Sequence, residues 1–191
     1  MFRHESSPGL SDCAIASLTN EETMRASTVK KAPTTTPARP TESIFDALRE
    51  SHERQRALCR QLLRSKPHTA DRLSIFTALR IELAAHAAAE ERHLYVPILM
   101  DDRGLSPARH ALHEHHQMDE LVEDLQVTDH SGASWMATAK QLSHKVHHHL
   151  REEEKKFFQS SGKILDDALK MRLAKRYRRE HARMVRSLQK A

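Results

Sequence analysis

From Thr41 onward the chain places apolar residues at alternating steps of three and four, and each of the four stripes so formed is interrupted by a histidine. Such steps keep residues on one face of an α-helix, so the pattern calls for amphipathic helices burying a common side. The first stripe runs Phe45, Leu48, His52, Gln55, Cys59 and Leu62, and the second Phe76, Leu79, Leu83, His86, Glu90 and Leu94. The third is Ala108, Leu112, His115, Met118, Val122 and Leu125. The fourth is Trp135, Ala139, Leu142, Val146, His149, Glu153 and Phe157. Two stripes pass from histidine to glutamate one turn later, whereas His113, His116, His144, His147 and His148 fall off their stripes.

Only four glycines and eight Phe, Tyr and Trp residues accompany long runs of Ala, Leu, Glu, Arg and Lys, which favours an all-α fold. Breaks at Lys66-Pro67, Asp102-Arg103-Gly104 and Asp129 to Gly132 divide the region into helices near 42–65, 70–100, 107–127 and 133–160. Short connections make them antiparallel neighbours, hence an up-and-down four-helix bundle over 41–162. Ser106-Pro107 reads as a helix start, Gly104 and Gly162 as helix ends, and Pro97 as a bend or stop. A fifth helix near 164–189 carries Leu165, Leu169, Leu173, Tyr177, Met184 and Leu188 on one side and basic residues elsewhere.

A lone histidine on an apolar face is ordinarily a hydrogen-bonded core residue. Four of them, one per helix, together with two carboxylates, would be costly to bury without a common partner. A metal centre supplies that partner. His52 precedes Pro67 by 15 residues and His86 follows it by 19, a mismatch of about one helical turn. Residues four apart share a helix face with Cβ atoms about 6 Å apart, so His86/Glu90 and His149/Glu153 can each offer an imidazole and a bridging carboxylate. With His52 and His115 they make a set of four histidines and two glutamates. Such donors without thiolate suit iron or manganese, and imidazole also binds zinc. Six ligands shared by two metals leave coordination positions open, which points to small-molecule binding or redox chemistry.

The formal charge of +5 is unevenly spread. Residues 1–40 hold five Lys/Arg against four Asp/Glu, residues 163–191 ten against three, and the remainder sixteen against nineteen. The basic character therefore belongs to the C-terminal helix. Residues 1–40, rich in Ser, Thr and Pro without hydrophobic period, read as a disordered tail. Cys13 and Cys59 make no disulfide framework, and no secretory or transit segment or membrane span is evident, so a reducing cytoplasmic setting is expected. Cys59 reads as a small buried hydrophobe.

HAAAEERHLYVPIL (86–99) and HLREEEKKFF (149–158) resemble the hemerythrin-like, or HHE cation-binding, family, each with His-x-x-x-Glu-Glu followed by an aromatic. RESHERQRALCRQL (49–62) and HEHHQMDELVEDL (113–125) are similar to its two single-histidine helices, so the resemblance covers about 42–160. It implies a di-iron centre with an oxo or hydroxo bridge, with His52, His86, His115 and His149 as terminal ligands and Glu90 and Glu153 as bridges. It further implies O2, NO or a peroxide as ligand. The fifth histidine of oxygen carriers is missing, since Ala111 and Asp119 stand four residues either side of His115. That brings the chain closer to four-histidine relatives linked to nitric oxide and iron–sulfur repair. Those carry an N-terminal domain with a reactive cysteine, which the tail here does not resemble.

Other readings fit less well. A ferritin-like oxidase needs Glu-x-x-His twice; Glu90 and His93 satisfy it once, but Lys156 stands where the second histidine should be. No HExxH zinc-protease motif occurs. Residues 172–186 could meet nucleic acid or anionic membrane, although docking on the bundle is preferred. An iron or oxygen sensor would use the same ligands as a carrier or an enzyme. Tyr95, Trp135 and Phe157 are read as core residues, with shielding of the site as the alternative.

Overall fold

The computed structural model describes residues 42–127 and 129–190, so the expectations for the N-terminal tail and Cys13 lie outside it. Among the described residues all regular structure is helical. α1 (Ile44–Arg64) starts from a reciprocal capping box in which Ser43 and Asp46 satisfy each other's end groups. α2 (Ala70–Glu90), capped by Thr69, continues through a π-helical turn (Glu91–Tyr95) into the short α3 (Val96–Leu99). α4 (Asp102–Leu125) and α5 (Ala133–Glu152) follow, and α5 passes through a second π-helical turn (Glu153–Phe157) into α6 (Phe158–Ile164). α7 (Asp167–Leu188) is capped by Asp166, which accepts from the Leu169 N–H at 2.6 Å.

The four long helices α1, α2, α4 and α5 form the up-and-down bundle, with α1 against α2 and α5, and α4 against α5. α7 packs on α1 and α2, burying Leu173, Ala174 and Tyr177. Ion pairs fasten its length: Arg178 to Glu42 and Glu50, Glu180 to Arg92, and His181 to Glu82.

Three local expectations are corrected. α4 begins at Asp102 rather than 107, because Asp101 accepts from the Arg103 N–H at 3.0 Å and caps the helix earlier than Ser106 could. Pro107 is therefore inside the helix, and Gly104 in its first turn rather than at a helix end. Gly104 is required there by close approach: an added Cβ would meet the Ile98 carbonyl and side chain. The second and fourth helices, expected to be continuous, are interrupted by the π-turns; the first turn ends just before Pro97, which stands at the start of the short α3, and the second has no proline.

The apolar interior consists of two clusters. One gathers Ile44, Leu48, Ala89, Tyr95, Ala111, Phe157 and Tyr177; the other Cys59, Leu83, Met118, Trp135, Val146 and Leu150. Each candidate histidine falls between members of the two clusters on its own helix, so a polar layer crosses the bundle between them.

Candidate metal centre

His52 comes from α1, His86 and Glu90 from α2, His115 from α4, His149 from α5, and Glu153 from the turn that follows it. All six are at most 3% exposed. Their donor atoms fall into two groups, each within 4.8 Å: His52, His86, Glu90 and Glu153, and Glu90, His115 and His149. His86 Nε2 lies 3.1 Å from Glu90 Oε2, which is also 3.6 Å from His115 Nε2. Glu153 Oε2 lies 3.3 Å from His52 Nε2 and 3.8 Å from His149 Nε2. The two imidazole nitrogens of His115 and His149 stand 3.1 Å apart. Each glutamate thus reaches histidines of two helices.

The outward nitrogens of these histidines are all held. Nδ1 of His52 meets Glu154 at 2.7 Å, that of His115 meets Glu91 at 2.8 Å, and that of His149 meets Glu114 at 2.9 Å. Nδ1 of His86 meets the Tyr177 hydroxyl of α7 at 2.9 Å. An imidazole anchored through Nδ1 presents Nε2 with a fixed tautomer and direction. By contrast, Nε2 of His52 and His86, Oε1 of Glu90 and Oε2 of Glu153 are buried without any hydrogen-bond partner among the described residues. Four orphaned polar atoms facing one space are costly unless a cation answers them.

The π-turns make this ring possible. In each, the closing N–H bonds five residues back, Val96 to Glu91 and Phe158 to Glu153. The extra residue widens the helix locally, a distortion frequent at functional sites. Glu90 and Glu153 point to the centre while their successors Glu91 and Glu154 reach the histidine of a neighbouring helix. Both turns also bury the residue five beyond the first glutamate: Tyr95 lies on His115 at 5.4 Å between ring centroids, and Phe158 on His52 at 5.8 Å. The halves differ in one group. The Tyr95 hydroxyl sits between the two carboxylates, 3.1 Å from Glu90 and 3.0 Å from Glu153.

Electrostatics follow from this crowding. Burial opposes charge on His52, but Glu153 and Glu154 outweigh it and raise its pKa to about 9. His115 is likewise raised against burial, by Glu91 and Glu90. Burial, reinforced by His52, holds His86 well below its ordinary value. Burial also pushes the Tyr95 phenol far up, so it remains a hydrogen-bond donor.

Two spaces reach the cluster. A cleft of about 490 Å³ between α4 and the α5–α6 segment is lined by His149, Glu153, Ala111 and Phe157, with His110 and Lys156 exposed along its wall. A pocket of about 10 Å³ touches His86, His115 and His149 and is lined also by Gln55, Met118 and Asp119. That is about the room of one water-sized molecule.

The side chains off the stripes stay outside: His113, His116 and His144 are exposed, and His147 and His148 half-buried. His93 belongs to neither donor group. Asp119 borders the small pocket but joins neither group. Trp135 packs on Phe76 and donates to the Leu125 carbonyl within the other apolar cluster, whereas Phe157 packs on Tyr95 at 5.2 Å. Cys59 is fully buried, and burial raises its thiol pKa to about 11. Sequence reasoning missed Glu91, Glu114, Glu154 and Tyr177. The doubled glutamates were a visible signal for two of them, but Glu114 and Tyr177 act across helices and left none.

The family model described as Hemerythrin HHE cation binding domain matches residues 43–160. Among solved structures, the chain is similar to the crystal structure of a hemerythrin HHE cation binding domain-containing protein from Mycobacterium kansasii. The identity is 20% and the TM-score 0.69, over 76% of this chain and 89% of that one, a likeness of fold. No curated protein matches the chain.

Proposed function

Since this chain belongs to the hemerythrin HHE cation-binding domain family, we propose that it holds a pair of metal ions, iron by resemblance, through six side chains. His52 and His86 would hold one ion and His115 and His149 the other, with Glu90 and Glu153 as the carboxylates that both pairs reach. Manganese and zinc are the alternatives the same donors accept. The observation that carries this reading is the orphaned set of inward atoms beneath four outwardly anchored imidazoles. Iron, when bound there, supplies redox change and an open coordination position for O2, NO or a peroxide.

The protein's own part is positional. Glu91, Glu114, Glu154 and Tyr177 hold the imidazoles in direction, and the hydroxyl of Tyr95 is placed to donate to a shared carboxylate. The water-sized pocket beside His86, His115 and His149 admits a small ligand, and the larger cleft offers a route to His149 and Glu153. We place the function in the bundle, residues 41–162, with Tyr177 added from the helix beyond it. The cytoplasm is the proposed setting, on the cysteine usage of the sequence. A second reading, an iron or oxygen sensor, is favoured by the polar layer dividing two apolar clusters, because metal loss there would loosen both.

Anaerobic reconstitution with metal analysis tests the proposal, with optical spectra before and after O2 and NO. About two ions per chain are expected, with loss in His149→Ala and retention in His148→Ala. Retention in His149→Ala with loss in His148→Ala would overturn the ligand assignment.

A further inference from the structure

α7 gives its apolar side to the bundle and leaves the other side to solvent. Arg172, Lys175, Arg176, Arg179, Arg183 and Arg186 are all exposed, as is Lys190. At about 100° per residue the six of these within α7 fall within an arc of about 100°, forming one row about 21 Å long, with Lys190 just past the helix end. No carboxylate lies inside the arc. The nearest, Glu180 at its margin, is occupied by Arg183 and by Arg92 of the first π-turn, each at 2.8 Å or less. His93 nearby is held below its ordinary pKa chiefly by burial, with the charges of Arg92, Arg176 and Arg179 acting in the same direction.

We propose that this row binds the phosphate backbone of double-stranded nucleic acid without reading its sequence. Three observations select this partner. An anionic membrane would bind more strongly through apolar residues free to insert beside the cations, but Leu173, Ala174 and Tyr177 are buried against α1 and α2. A single strand is held by stacking on aromatic side chains, and the exposed arc carries none. Five of the seven cations are arginine, whose planar fork matches phosphate oxygens in pairs. A straight row of such groups suits a regular line of phosphates, while the absence of Asn, Gln or aromatic groups within the arc leaves the base edges unread.

This surface is separate from the metal centre, so its test is independent of metal content. Anisotropy of a labelled random-sequence 30-bp duplex is measured with the full chain at 50 to 200 mM NaCl. Binding is expected to be indifferent to duplex sequence, and log K should fall against log salt with a slope of about −4.5 to −6.3, from five to seven phosphate contacts. The variant Arg176→Glu/Arg179→Glu/Arg186→Glu should lose about 100-fold in affinity, with helicity by circular dichroism and metal content unchanged. Arg60→Glu/Lys66→Glu/Lys140→Glu, which changes net charge equally elsewhere on the surface, should lose less than about 10-fold, as expected for charge outside the contact. Equal losses in the two variants would overturn the proposal. So would the absence of duplex binding at 50 mM NaCl, or binding to phosphatidylserine vesicles in its place. Should the first variant unfold, the salt slope and sequence indifference of the unaltered chain decide the matter.

Discussion

His86 differs from the other three histidines in what holds it. Carboxylates anchor His52, His115 and His149, whereas a neutral phenol from outside the bundle anchors His86. With Nε2 turned to the centre, the Nδ1–H donates to Tyr177. On the same side of α1, Ser51 donates to Glu82 of α2 at 2.6 Å. Glu82 accepts also from Arg54 at 3.2 Å and pairs with His181 of α7 at 3.1 Å. Tyr177→Phe keeps the packing and removes one anchor. It should weaken metal binding by about 10-fold or more while leaving the melting of the chelated protein nearly unchanged, as competition titration and calorimetry would show. An equal fall in apo stability would instead mark Tyr177 as a packing residue alone.

At the scale of elements, the two π-turns are what a reading by periodicity cannot resolve. A regular helix turns about 100° per residue, so one inserted residue shifts every later side chain by that angle. The stripes lead to Glu90, which precedes the first turn, and to Glu153, which opens the second. They cannot foresee that Phe158 is buried beside Phe157, nor from period alone that Tyr95 is buried beside Leu94. The α3–α4 corner follows the first turn and depends on Gly104 lying against Ile98. Gly104→Ala should cost about 2 kcal/mol through overpacking, a fall in Tm of about 6 °C for a chain of this size. An unchanged Tm would show that the corner yields freely.

For the whole molecule, the arrangement of the core ties stability to the centre. Two apolar clusters meet across a layer in which four inward polar atoms, on His52, His86, Glu90 and Glu153, have no hydrogen-bond partner among the described residues. A ligand bound only by the folded state stabilises it by mass action, by about 4 kcal/mol at a thousandfold excess over its Kd. Chelation should therefore lower Tm by about 10 °C, and re-addition of iron should restore it. Identical melting curves with and without chelator would sink the buried metal reading.

The sequence by itself determined the helical class, the four inward stripes and the six residues that meet at their histidines. Those follow from periodicity, which is local and survives without knowledge of the neighbours. It also carried Glu91 and Glu154 in plain view, but nothing local distinguishes a glutamate that supports a neighbouring helix from one that faces water. Helix boundaries near Asp101 turned on a cap two residues long, and the π-turns on single insertions, both below the resolution of a stripe. Only the tertiary structure decided that Glu114 and Tyr177 complete the ring. Their partners lie 35 and 91 positions away, and only packing brings them within a hydrogen bond.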